Sequence, residues 1–356
     1  MSSAATIDID FDFEPEPEPA PLRLPAGARA RTAVLSRGDR VGAWRVDGDL
    51  GRGGMGSVYA VTHSDFGKRA ALKLCHASIL DARFTSDTFL REARIVHLVD
   101  HPGVCDVFAT GTHDGRPYLA MERLTGRTLG AHLERRPISR VDALAILVEV
   151  CDVLGAAHAA GVVHRDLKLD NVFVLDEAGP GDRRTKLLDW GVARILGEPD
   201  PMRGMIAGTL TYVAPEQLLG DDVGPEADVY SLAVLAYQVL FGESPFASAS
   251  DLVLLRKHLH EAPPPPSRLC PRIPPELDAL LVAMLAKDPA ERPPISEVRR
   301  VLAQLLDECR ERSRNWLARL ISPSPPVTGL RSRRRLVVVT IGLACLATGI
   351  AALFSA

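Results

Sequence analysis

The stretch whose reading decides the fold is His164-Arg165-Asp166-Leu167-Lys168-Leu169-Asp170-Asn171, set between the apolar runs Gly161-Val162-Val163 and Val172-Phe173-Val174-Leu175. It crowds carboxylates, cations and a side-chain amide into one short loop, a mixture that a solvated turn does not need. Phosphoryl transfer does need it: a carboxylate to take up a hydroxyl proton, a cation against the charge on the moving group, and an oxygen ligand for magnesium. Asp166, Lys168 and Asn171 can supply these in that order. His-Arg-Asp alone recurs by chance as a polar loop after a helix, so it is the longer pattern that carries weight.

Working outward, the chain has 356 residues, 46% of them apolar, enough for two domains or one large bilobal one with a buried core. A formal net charge of −3, with no domain-wide excess of basic residues, excludes a nucleic-acid footprint outside a short C-terminal run. Cys75, Cys105, Cys151, Cys270, Cys309 and Cys345 are scattered with no C-x-x-C pair, which removes a zinc or redox site and fits a reducing compartment. The N-terminus lacks the basic-then-apolar pattern of a signal peptide.

Upstream of the loop, short apolar runs with turns begin near Gly38 and predict a sheet: Val41 to Leu50, then Gly51-Arg52-Gly53-Gly54-Met55-Gly56-Ser57-Val58-Tyr59, then Arg69 to Leu74. The glycines let backbone N–H groups approach phosphate oxygens, and Val58 offers an apolar lid for a flat ring. The β-branched and aromatic residues after Gly56 predict a strand there, where a dinucleotide-binding turn would start a helix. Lys73 lies within an apolar run and needs an anionic partner if buried, which Glu92 on the next helical stretch can be. Tyr118 to Leu124 reads as another strand. Val141 to His158 has helical spacing with Ser139 placed to cap it, and delivers the polar loop. Downstream, Val172 to Leu175 and Lys186 to Leu188 read as a hairpin that ends in Asp189-Trp190-Gly191, where the acid can ligate magnesium. Asp228 to Phe241, apolar almost all round, predicts a buried central helix. Helical spacing resumes after the prolines at 263–266, and a last amphipathic helix carries Val298 to Cys309.

Taken together, His164 to Asn171 resembles the catalytic loop of protein kinases, and the glycine turn, Lys73 with Glu92, Asp189-Trp190-Gly191 and Ala214-Pro215-Glu216 resemble that family's other motifs in order. The sequence is similar to eukaryotic-type serine/threonine protein kinases in their bacterial form, over about residues 40 to 308. The resemblance implies an α+β, bilobal fold, with a small β-rich lobe over about 38–122 and a larger helical lobe over about 125–310. It implies ATP with Mg2+ (or Mn2+), held by Asn171 and Asp189. Lys73 would hold the α and β phosphates and Glu92 would fix Lys73. Leu50, Gly51, Gly53, Gly54, Gly56, Val58 and Ala71 would enclose the nucleotide, with Met121 as gatekeeper and backbone groups of Glu122 and Leu124 at the adenine edge. Asp166 would orient and deprotonate the acceptor hydroxyl, with Lys168 near the γ-phosphoryl. Thr209 would belong to the substrate platform, Asp228 would anchor the catalytic loop, and Arg292 would pair with Glu216. Lys168 and Gly208-Thr209 favour serine or threonine as acceptor on protein substrates. Trp190 stands where the family has Phe and keeps a large apolar ring.

Members of the family commonly neutralise the arginine beside the catalytic acid, here Arg165, with a phosphate on the activation segment. Between Gly191 and Gly208 this chain has no Ser, Thr or Tyr. Standing carboxylates such as Glu198 or Asp200 are the expected substitutes. The alternatives to a protein kinase are a membrane-tethered pseudokinase or scaffold that binds nucleotide without transfer, and a small-molecule phosphotransferase. Retention of Lys73, Asp166, Asn171 and Asp189 speaks against the first, and the Ala214-Pro215-Glu216 and Arg292 framework against the second.

Both ends of the chain differ in kind from this middle. Residues 1–37 form an acidic alternating run, Asp8 to Glu18, followed by an Ala, Pro and Arg-rich part, a composition expected to stay disordered. Residues 311–335 are basic and hold Arg331-Ser332-Arg333-Arg334-Arg335. Leu336 to Phe354 then carries no charge and would span about 28 Å as a helix, close to a hydrocarbon core. The expectation is a single-pass anchor in the cell membrane at the C-terminus, with the positive-inside rule keeping the kinase domain cytoplasmic. Homodimers through the kinase lobe or the small-residue stripe Ala344, Thr348 and Ala352 are a further expectation.

Overall fold

The computed structural model describes residues 34–80, 85–176, 184–200 and 209–321. Its first part is a sheet of six antiparallel strands: β1 (Arg40–Val41), β2 (Trp44–Arg52), β3 (Gly56–His63), β4 (Arg69–Cys75), then, after helix α1 (Ser86–Val99), β5 (Val107–His113) and β6 (Arg116–Met121). They lie in the order β1-β2-β3-β4-β6-β5, so β4 is flanked by β3 and β6. Alternation along these strands places Val46, Tyr59, Val61, Leu72 and Leu74 with Trp44 in one buried cluster. Val58, Ala71 and Lys73 face the other way. Gly56 is required by packing: a Cβ there would come within 2.6 Å of the Leu74 carbonyl oxygen on the neighbouring strand. Thr85 caps α1 by accepting from the Thr88 amide, and the helix turns Phe89, Glu92, Ile95, Val96 and Val99 inward.

The second part is mainly helical. After β7 (Gly126–Thr128) come α2 (Leu129–Arg135) and α3 (Arg140–Ala159). The Ser139 side chain accepts from the Asp142 amide at the start of α3, as the sequence predicts. The short strand β8 (Val162–Val163) leads into the polar loop, and β9 (Val172–Leu175) pairs antiparallel with β10 (Thr185–Leu187). Strand β11 (Arg194–Ile195) pairs back on β8. Helices α4 (Pro215–Leu219), α5 (Glu226–Phe241), α6 (Asp251–His260), α7 (Pro275–Met284) and α8 (Ile295–Ile321) follow. Helix α5 is buried from Ala227 through Tyr237, as its unbroken apolar composition requires. This is the bilobal α+β arrangement of a small sheet lobe and a larger helical lobe.

Three boundaries differ from the sequence reading. Strand β6 stops at Met121 rather than running to Leu124, because the Glu122 amide turns to the Asp106 carbonyl. The second strand of the β9 hairpin ends at Leu187, and the Leu188 amide bonds the Asn171 carbonyl instead. Helix α8 continues past residue 310 to Ile321. One compact unit ends at Asp307; of the unit that begins at Glu308 the structure describes the continuation of α8, where Arg312 pairs with Glu308 one turn back. The expected membrane span at 336–354 and the run at 7–18 lie outside the described residues. Among the described residues no helix is long and apolar enough to cross a membrane.

Candidate active site

Strand β4 carries Lys73 into the space between the lobes, where its Nζ donates to Glu92 Oε2 at 2.7 Å and to Asp189 Oδ1 at 2.8 Å. Burial alone would push the Lys73 ammonium down, but Asp189 and Glu92 outweigh it and hold it above its ordinary value. Asp189 is held low chiefly by the Lys73 charge. Burial pushes Glu92 up, against the pull of Lys73. The ammonium at 2.7 Å keeps the shared proton on nitrogen. Beside this triad lies a cavity of about 450 Å³ walled by Leu50, Gly51, Val58, Ala71, Met121 and Leu124, among others. Gly53 and Gly54 sit in the turn between β2 and β3 and Gly56 opens β3, and none of the three is part of that wall.

The polar loop meets the same space from the helical side. Asp166 is half-buried, its Oδ2 accepting from Lys168 Nζ at 2.7 Å and its Oδ1 from the Thr209 amide at 3.1 Å. Lys168 Nζ also donates to Thr209 Oγ1 at 3.1 Å. Asn171 Nδ2 donates to the Asp166 carbonyl at 2.7 Å and to its Oδ2 at 3.1 Å. Among the described residues no hydrogen bond reaches Asn171 Oδ1 or Asp189 Oδ2. Those two oxygens fit a small divalent cation that keeps water and phosphate oxygens as its other ligands. No cluster of three acidic, His or Cys side chains occurs among the described residues, and magnesium on a nucleotide does not need one.

What aims this loop is Asp228, fully buried at the start of α5. It accepts from the His164 amide at 2.9 Å, the Arg165 amide at 2.8 Å and His158 Nε2 at 2.8 Å. Burial works against its charge, and the hydrogen bond from His158, ahead of the other contacts, nevertheless holds its carboxyl low. Arg165 (φ 65°) and Asp189 (φ 60°) both sit in the left-handed region, strain that the surrounding bonds hold in place. Trp190 is buried against His164, ring centroids 4.5 Å apart, as an apolar ring in that position should be. Arg292 and Glu216 form the expected pair, bidentate at 2.7 and 2.8 Å.

The activation segment reaches both lobes. Arg165 donates to the two oxygens of Asp200 at 2.7 and 3.1 Å, and its Nε donates to the Val192 carbonyl. Glu198 takes Arg94 at 2.7 Å and Arg91 at 3.4 Å, the two arginines that bracket Glu92 on α1.

Residues 44–301 match the protein kinase domain family. The chain belongs to the protein kinase family. The kinase domain is similar to Serine/threonine-protein kinase Pkn1 of Myxococcus xanthus, 40% identical over 257 residues covering 72% of this chain and 37% of that protein. It is 35% identical to Serine/threonine-protein kinase PknJ of Mycobacterium tuberculosis over 72% of this chain and 44% of that one. To PknA of the same organism it is 36% identical, over 70% and 58%. The chain thus spans between 37% and 58% of the length of these relatives.

Sequence reasoning missed part of the kinase cleft. Cys105, Val107, Phe173 and Leu188 also wall the cavity. Phe173 and Leu188 lie in runs that the sequence marks as strands without showing which neighbour turns to the cleft, whereas Cys105 and Val107 precede and open β5, which the sequence reading did not identify. The Glu122 amide donates to the Asp106 carbonyl, and the Glu122 carbonyl accepts from the Cys105 thiol at 3.6 Å.

Proposed function

We propose that this chain transfers the γ-phosphoryl group of ATP to serine or threonine hydroxyls of protein substrates, from a kinase domain held at the cytoplasmic face of the cell membrane by residues 336–354. The observation that carries the chemistry is the meeting at one cleft of Lys73 and Asp189 with Asp166, Lys168 and Asn171. In this reading Lys73, fixed by Glu92, grips the α and β phosphates. Asp166 receives the acceptor proton, its carboxylate oriented by Asn171 and the Thr209 amide, while Lys168 answers the charge spread over the moving phosphoryl. Asn171 and Asp189 would hold Mg2+ (or Mn2+), which supplies neutralisation of the phosphate oxygens. The contact of Thr209 with both Asp166 and Lys168 supports serine or threonine as acceptor.

Activity without a loop phosphate belongs to the same reading. Asp200 already gives Arg165 a bidentate carboxylate, and Glu198 ties the segment to the helix that carries Glu92. The anchor rests on the uncharged run at 336–354 and the arginines before it.

Incubation of the full chain with γ-labelled ATP, magnesium and a generic protein substrate tests the activity. The expected result is label on phosphoserine and phosphothreonine and in the membrane fraction of the enzyme's host cell, unaffected by prior phosphatase treatment of the enzyme. Label confined to small molecules would overturn the protein-kinase reading, and loss of most activity after phosphatase would overturn the role of Asp200.

A further inference from the structure

The small sheet has a second cavity on the face turned away from the cleft. Strand alternation sends Val58 and Lys73 toward the nucleotide side and their neighbours Ser57, Tyr59 and Leu74 to the other. There a cavity of about 220 Å³ is walled by the polar side chains of Arg52, Ser57, His76, Ser78 and Arg116. Arg116 opens β6 and is only 8% exposed. Among the described residues its guanidinium has neither a hydrogen-bond acceptor nor a carboxylate within ion-pair distance. Its nitrogens are not among the fully enclosed side-chain atoms, so the five N–H donors of this permanently charged group open onto the cavity with no protein acceptor among the described residues.

Among the described residues nothing else on the wall answers that charge. The nearby Cys75 thiol stays protonated at neutral pH, because burial pushes it up to about 11 against the pull of Lys73 and Arg116. Ser57 Oγ and His76 Nε2 are joined at 2.9 Å. Arg52 adds a second cation, and its Asp49 contact is a long, exposed one at 3.5 Å. Among the described residues the wall is positive, rich in donors and without an acid of its own.

We propose that this cavity is an oxyanion-binding site for a phosphate-type group, held by Arg116 with Arg52 and the serine hydroxyls as further donors. Guanidinium geometry suits such a group, since it offers paired N–H donors to paired oxygens. Arg52 also lines the cleft, so an anion held here fastens one flank of the glycine-rich turn and favours nucleotide binding. That link rests on reading the cleft as a nucleotide site, whereas anion binding itself does not. Phosphate from solution and the carboxylates of the chain's own run Asp8 to Glu18 share the chemistry.

Titration of the full chain with inorganic phosphate at constant ionic strength tests the site. Two variants accompany it: Arg116→Met, and Ser78→Asp, which places a carboxylate at an exposed rim position and keeps the fold even if the first does not. Saturable binding in the wild type that both variants weaken at least about tenfold, the worth of a lost charge-assisted contact, is the expected result. If binding emerges only when the six acids between residues 8 and 18 are changed to Asn and Gln, the chain's own carboxylates fill the site. Phosphate binding that is the same in the wild type and both variants, in either background, overturns the proposal. Saturating phosphate should also tighten binding of a non-hydrolysable ATP analogue in the wild type alone; binding without this effect removes the link to the turn.

Discussion

Lys73 and Glu92 are buried, as are Arg292 and Glu216, yet the two ion pairs are finished to different degrees. Arg292 spends every N–H it has: on both oxygens of Glu216 and on the carbonyls of Ala286, Glu226 and Lys287. Tyr230 packs against its guanidinium at 4.9 Å, and His258 and Lys287 close the cluster. Lys73 donates to two carboxylates, and its third N–H borders the cavity with no acceptor among the described residues. A completed buried pair holds a shape. One left a donor short, beside a carboxylate with a free oxygen, is kept ready for an anionic ligand and a cation.

Substitutions can break this contrast. The largest effect is expected at the completed pair. Glu216→Ala leaves Arg292 buried and unanswered, at a cost of roughly 3–5 kcal/mol in unfolding free energy, measured by denaturant titration. A loss below about 1 kcal/mol would show the pair to be incidental. Lys73→Met should instead lower phosphoryl transfer about 10²–10³-fold. The fold should survive, because Glu92, already pushed up by burial, takes a proton once the ammonium is gone. Comparable losses of stability in the two variants would erase the distinction.

Acid sharpens it further. Burial, with Lys287 beside it, lowers His258 to about 4. The unfolded chain therefore binds this proton at higher pH than the folded one does, and stability is present near pH 7 and lost as pH falls from about 6.5 toward 4. Between pH 7 and 5 the loss is about 2 kcal/mol. His258→Gln should flatten that slope in thermal melts taken across the range, and an unchanged slope would place the titration elsewhere. The smallest effect belongs to the activation segment: Asp200→Asn should slow transfer by roughly tenfold, the worth of one charge-assisted contact, with phosphatase treatment changing neither enzyme.

The legibility of the chain follows the same division. Groups with an obligatory partner could be read in advance: buried Lys73 demanded an acid and found Glu92, and Ser139 before an apolar helix found the Asp142 amide. Asp228, Glu216 and Arg292 carried no such local signal and came from the family resemblance alone. Where the chain leaves the sheet after Met121 depends on the Asp106 carbonyl, a contact with no trace in local pattern. The choice between Glu198 and Asp200 for Arg165 was likewise open until the segment's path was known; both are engaged, each with different arginines. The second cavity stayed hidden because Arg116 opens an ordinary strand, and only the lack of an acceptor around it marks it out.

The central claim is that side chains from separate segments converge on one cleft as a phosphoryl-transfer machine, with Asp166 taking the acceptor proton. Single-turnover transfer from γ-labelled ATP to a protein substrate, compared between the wild type and Asp166→Asn at saturating nucleotide, tests it most directly. The account predicts a drop of about 10²–10⁴ in rate with nucleotide affinity unchanged. A variant that keeps more than about a tenth of the wild-type rate would contradict the role of a general base.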